Sequence, residues 1–97
     1  MLIGSVVGSV VASQKDEQLV ASKLLVVQVF DHRNEPTDNY VVAVDSVQAG
    51  HGDMVLFATG SSARQTTLTK DKPCDAVIMA VIDSWDIDGE NVFSKWG

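Results

Sequence analysis

Ser61, Ser62, His51, Asp45 and Asp53 are the residue types of a nucleophile, a general base and its orienting acid, and converged they would support acyl transfer. Such a site is recognised by geometry, and nothing around either serine resembles the strand-to-helix elbow that exposes a nucleophile. Asp31-His32 could act as an acid and base pair, but Arg33, Asn34 and Glu35 follow directly, and the cluster reads as a solvated turn. Cys74 precedes Asp75, whose negative charge disfavours a thiolate, so it reads as a packing or surface residue. Gly50-His51-Gly52 is half of a phosphate-cradling loop that no further glycine completes. Asp83, Asp86 and Asp88 lack the terminal bidentate Glu of a calcium loop. The sequence therefore predicts no catalytic residue, no cofactor site and no metal site. One cluster stands apart: Gly60-Ser61-Ser62-Ala63-Arg64 places four small residues before one of only two arginines. Small residues allow close backbone approach, and arginine offers a rigid fork of donors. The cluster reads as a capped turn with an exposed arginine, or as an oligomer contact or pore lip.

The elements that must position these residues read as strands. Sixteen Val and four Ile favour a pleated surface, where β-branched side chains pack well. Leu2–Ser13 reads as a long first strand, with Gly4 and Gly8 on one face, where the chain bends or admits another backbone. A polar loop, Gln14–Ser22, leads to a second strand at Lys23–Asp31, and His32–Asn39 reads as a turn. A third strand over Tyr40–Asp45 and a fourth over Met54–Thr59 flank Gly50-His51-Gly52-Asp53. Ser61–Thr66 is a turn or short helix, and Thr67–Lys72 an exposed loop. Ala76–Asp83 is a fifth strand continuing toward Trp85, and Asp88-Gly89 signals a hairpin before an edge or sixth strand at Asn91–Lys95. Phe30, Tyr40 and Phe57 are expected in the core. The pattern predicts a mainly β fold: a small five- to six-stranded antiparallel barrel with one short helix or turn.

Composition narrows the function. Ninety-seven residues read as one domain, residues 1–97, which buries about two-thirds of its unfolded surface. A hydrophobic content of 45% supports a core and excludes a disordered chain. A net charge of −6 argues against nucleic acid, which needs a basic groove. No apolar run approaches a membrane span, and Met1–Ser13 lacks the basic start of a signal peptide, so a cytosolic protein is expected. A single cysteine and two separated histidines leave no intrachain disulfide or ordinary zinc site, and oligomerisation becomes the expected source of added stability.

Gly60–Arg64, taken with Ala43-Val44-Asp45-Ser46-Val47-Gln48-Ala49-Gly50-His51-Gly52-Asp53-Met54-Val55-Leu56, resembles the pentameric vertex proteins of bacterial microcompartments, the carboxysome and ethanolamine-utilisation (EutN/CcmL) family. The likeness runs the whole length, through Gly8-Ser9-Val10-Val11, Gln14-Lys15, Lys23-Leu24-Leu25-Val26-Val27, Pro73-Cys74-Asp75-Ala76 and Ala80-Val81-Ile82-Asp83. The sequence departs at Gln48, where the family usually has Gly, and at Asp53, where it usually has Glu.

The resemblance implies a barrel related to the OB-fold, assembled as a homopentamer at the five-fold corners of a polyhedral shell in the bacterial cytoplasm. It also implies hexameric and trimeric shell proteins as partners, and neither nucleic acid nor lipid membrane. Gly60, Ser61 and Ser62 would lie near a central pore, with Ala63 a further pore or oligomer-contact candidate and Arg64 fixing the loop through Asp45 or Asp53. Five copies at −6 carry −30 together, so an acidic outer rim and salt-sensitive docking are expected. A competing reading is a free-standing OB-type module for a small ligand or oligomer, with Trp85, Phe93 and Trp96 as its stacking platform.

Overall fold

The computed structural model describes residues 1–11, 23–60 and 76–97. Seven strands cover them: β1 (Leu2–Val10), β2 (Lys23–Phe30), β3 (Pro36–Asp45), β4 (Met54–Thr59), β5 (Ala76–Val81), β6 (Ser84–Ile87) and β7 (Glu90–Ser94). The first five close a barrel in the order β1-β2-β3-β5-β4, and β6 and β7 form a separate two-stranded sheet. Among the described residues there is no α-helix; the turn or short helix expected at Ser61–Thr66 lies outside them, as do the two polar loops and Cys74.

The barrel is antiparallel at every pairing but one. β3 and β5 run parallel, paired at Val44↔Val77 and Asp45↔Ile78. Fully antiparallel closure was the expectation; a five-stranded ring of pairings with strands entering in this order needs one parallel seam. The final segment also differs from the expected extension of the barrel. The chain leaves the sheet after Val81, and Asp88-Gly89 turns a hairpin of its own, with positive φ at both residues (51° and 79°). Two consecutive left-handed residues give the turn that matches strand twist, so the dipeptide signal was sound while the sheet it served was not the barrel.

The barrel interior holds Val6, Leu25, Val27, Val55, Phe57 and Ile78, all buried. A bulge between Val6 and Gly8 shifts the β1–β2 register. It separates the two glycines that simple alternation puts on one face. Gly4 points into the barrel against Val27 and Phe57, whereas Gly8 lies beside Val26 with room to spare. β3 begins four residues earlier than its apolar run, because Pro36 pairs with Phe30 at the strand start, a position that tolerates a missing N–H. Tyr40, expected in the core, is 58% exposed.

The β2–β3 connection is organised by Asp31. Its Oδ1 accepts from the N–H groups of Arg33 at 2.9 Å and Glu35 at 3.0 Å, which bears out the turn reading of this cluster. The Glu35 N–H bond above all, helped by the Arg33 N–H and the nearby positive charges, holds the Asp31 carboxyl below its ordinary value of 3.8 despite an opposing loss of hydration that outweighs each of those lesser contributions. A carboxylate favoured in the fold stabilises this turn above its ordinary pKa, and that contribution is lost as pH falls through the lowered folded value. An NMR titration should place the Asp31 carboxyl midpoint below 3.8, with the Arg33 and Glu35 amides shifting alongside. A midpoint at or above 3.8 would contradict the turn's grip on the carboxylate.

Candidate assembly surface

The residues singled out between Asp45 and Asp53 form a turn that is locked from within. Asp45 ends β3, and its side chain is only 2% exposed. Its Oδ1 accepts from the N–H groups of Val47 (3.1 Å) and Ala49 (3.2 Å), while Oδ2 faces Lys23 Nζ at 3.7 Å. Lys23, the cross-strand partner of Asp45, also donates Nζ to the Ala49 carbonyl at 2.9 Å. The Ser46 hydroxyl donates to the Ile78 carbonyl, tying the same turn to β5.

The next turn repeats the device. Gly50 N–H donates to Asp53 Oδ2 at 2.8 Å, and Asp53 N–H returns a bond to the Gly50 carbonyl at 3.0 Å. Gly52 sits at φ +89°, a conformation that glycine adopts without cost, and donates to the Val6 carbonyl at 2.8 Å. Val6 N–H bonds the Asp53 carbonyl at 2.9 Å, so the turn is stitched to β1. His51 is exposed on its outer side. Asp45 and Asp53 thus have local structural work, accepting from backbone N–H groups of their own turns. Of the small-residue cluster, Gly60 directly follows β4 with φ +63°; Ser61, Ser62, Ala63 and Arg64 lie outside the described residues.

Gln48 explains one departure noted in the sequence. It has φ +60°, a left-handed conformation in which Asn and Asp, as at Asn34 and Asp88, are far commoner than a longer side chain. Glycine suits this backbone. Gln48→Gly should therefore stabilise the protein by about 0.5–1 kcal/mol, read as a higher urea midpoint with unchanged slope. A lower midpoint would show that the Gln side chain contributes more than its backbone costs.

The outer surface is unusually apolar along two strands. On β3, Tyr40 and Val42 (51% exposed) stand beside a cavity of about 450 Å³ lined by Val41, Val42, Thr59, Gly60 and Ala76. β3 pairs with β5 only at its last two residues, so among the described residues the edge of β3 before Val44 has no strand partner on that side. On β1, Val7 and Val10 are each 37% exposed, next to the exposed Val11. The signal for this surface was present in Tyr40-Val41-Val42: a run with no polar alternation has apolar groups on both faces, and one face of a barrel strand must point outward. Trp85 and Phe93, two of the three residues that the competing binding-module reading offers as a platform, stack on each other at 5.1 Å, with Trp85 Nε1 donating to the His32 carbonyl at 3.0 Å. Trp96 is exposed.

These features define a class: a small closed β barrel, braced by self-bonded turns, with apolar strand surface left uncovered. Residues 1–83 match the family described as ethanolamine utilisation protein EutN/carboxysome. The carboxysome shell vertex protein CcmL of Gloeobacter violaceus is 42% identical over 95 residues, covering 98% of this chain and 95% of that one. Its solved structure superposes with a TM-score of 0.95 at 41% identity, covering both chains completely. The shell vertex protein EutN of Salmonella typhimurium is 35% identical over 98% of this chain and 96% of its own. The GrpN pentameric microcompartment shell protein of Rhodospirillum rubrum superposes with a TM-score of 0.82 at 37% identity, over 90% of this chain and 99% of that one. The chain belongs to the EutN/carboxysome family of shell vertex proteins.

Proposed function

We propose that this protein is a non-catalytic vertex component of a bacterial microcompartment shell, working as a ring of five in the cytoplasm. The observation that carries the reading is the full-length match in sequence and fold to shell vertex proteins, one of them described as pentameric. The surface supports it. A ring is built from one repeated contact between two different patches, and the apolar outer faces of β3 and β1 supply two. These strands stand on either side of β2, so the two patches are separate faces of one barrel. Gly60, Ser61 and Ser62 would border the central opening, with Ala63 packed at the contact and Arg64 holding the loop. A flat sheet of six-fold tiles cannot close on itself; five-fold units at its corners supply the curvature.

Native mass spectrometry tests this. Five chains of 10.4 kDa should appear at 52 kDa. Val42→Asp, which puts a charge on the exposed β3 face, should shift the protein to 10.4 kDa chains that retain their β circular dichroism. A wild-type monomer would instead favour the free-standing binding module. A Val42→Asp ring of undiminished stability would remove β3 from the contact.

A further inference from the structure

We propose that the β6–β7 hairpin is the arm by which the ring grips a neighbouring shell protein, in an apolar socket flanked by Lys or Arg side chains. The inference rests on the vertex reading above and adds the docking element and the chemistry of its partner.

The hairpin is separable from the barrel. The barrel closes through β1 to β5 alone, and the family match ends at residue 83, one residue before β6 starts. A two-stranded hairpin is marginal in water by itself, yet this one is braced internally. Its two-residue turn matches strand twist, Trp85 stacks on Phe93, and Asn91 Nδ2 donates to Asp86 Oδ1 at 3.2 Å and to the Phe93 carbonyl at 3.0 Å. Trp85 fastens its base to the β2–β3 turn through the His32 carbonyl. The result is a braced hairpin whose tip residues Ile87, Asp88 and Glu90 are exposed and border a groove shared with His32 and Arg33 of the β2–β3 turn.

The charge is concentrated there. Residues 83–97 hold Asp83, Asp86, Asp88 and Glu90 against Lys95 alone, a net −3, half the −6 of the whole chain. Lys95 faces Asp83 at the base of the hairpin, which leaves Asp86, Asp88 and Glu90 exposed around the tip. Amid them sits Ile87, 36% exposed, between Asp86 and Asp88 and opposite Glu90. An apolar side chain ringed by carboxylates fits an apolar socket ringed by cations. A second copy of this chain is a poor host, since it brings 13 acidic residues against 7 basic and would present the same negative arm. An anionic lipid surface is repelled for the same reason. The partner is therefore a different protein, basic at the point of contact, and within a shell the neighbouring hexameric tiles are the proteins in reach.

The test uses the full chain and a purified hexameric shell protein from the same genome, immobilised as the probe. Asp86→Asn with Asp88→Asn and Glu90→Gln removes the tip charge while keeping an acceptor for Asn91 and a residue that suits the φ of 51° at position 88. Wild-type rings should bind, with affinity falling steeply as salt screens the contact; the triple variant should bind about tenfold more weakly with little salt dependence. Ile87→Ser should weaken binding without changing the salt dependence. Both variants should remain at the native mass of the wild-type ring. A triple variant that binds like the wild type, a wild-type ring that does not bind the hexamer, or rings pairing arm to arm would overturn the arm while leaving the vertex reading in place. A monomeric wild type would sink both.

Discussion

Gly4→Ala should destabilise the protein by about 3 kcal/mol, a large part of the total stability of a domain this size. A Cβ at this position would overlap Val27 Cγ1, lie 2.6 Å from the Gln28 carbonyl oxygen and press on Phe57 at 3.1 Å. Val27 and Phe57 are wholly buried and the Gln28 carbonyl is backbone, so no flexible group can move aside. Gly8→Ala is the matched control. Its nearest contact would be Val26 Cβ at an ordinary 3.8 Å, and the change should leave stability within about 1 kcal/mol of the parent. Urea denaturation of both variants separates the effects. Equal losses would mean that strand flexibility, not the close approach at Gly4, sets the requirement for glycine.

Asp45→Ala should cost a similar amount, about 3 kcal/mol, for a different reason. The substitution leaves the N–H groups of Val47 and Ala49 without their acceptor inside a turn packed on the barrel. Lys23 contributes less. Its side chain is 57% exposed, so the 3.7 Å ion pair is partly screened, and Lys23→Met, which also removes the 2.9 Å bond to the Ala49 carbonyl and the cation beside a buried carboxylate, should cost about 1–2 kcal/mol. Asp45→Asn, which retains an oxygen facing the two N–H groups, should fall between them. Equal losses for Asp45→Ala and Lys23→Met would assign the turn's stability to the contacts of the Lys23 ammonium instead of the N–H groups that Asp45 accepts from.

Much of this architecture was legible in local patterning. β-branched runs marked β2, β4 and β5 to within a residue or two at most ends, and Asp88-Gly89 marked the hairpin turn. What escaped was set by long-range pairing. The bulge that turns Gly8 away from Gly4 exists only against β2, and Pro36 joins β3 only because Phe30 lies opposite. Tyr40 reads as core from its apolar neighbours; its exposure follows from which face the closed barrel turns outward. At the site, Gly50, Gly52 and Asp53 read as a turn from their chemistry, while Asp45 and Asp53 were expected as partners of Arg64; the bonds these two carboxylates make serve their own loops. The unalternated run Tyr40-Val41-Val42 signalled that β3 would carry apolar groups on both faces, but which of them face outward is fixed only once the strands are wound into a barrel.

The order of the barrel pairings bears on how the chain is made. β1 is made before the other four barrel strands, yet it is flanked on one side by β4, with Leu2 opposite Phe57. It must therefore wait for more than half of the sequence before its second edge is covered. The parallel seam between β3 and β5 comes later still, joining Val44 to Val77 through only two residue pairs. Pairings so distant in sequence pay loop-closure entropy before they gain contacts, which places this chain among slowly folding β domains. The β1–β2 hairpin should protect its amides early in refolding, and the seam should be the last to resist hydrogen exchange. Until it does, a nascent chain presents the valines of β1 as an open edge, and the rate of seam closure sets how long that edge is available to the wrong neighbour.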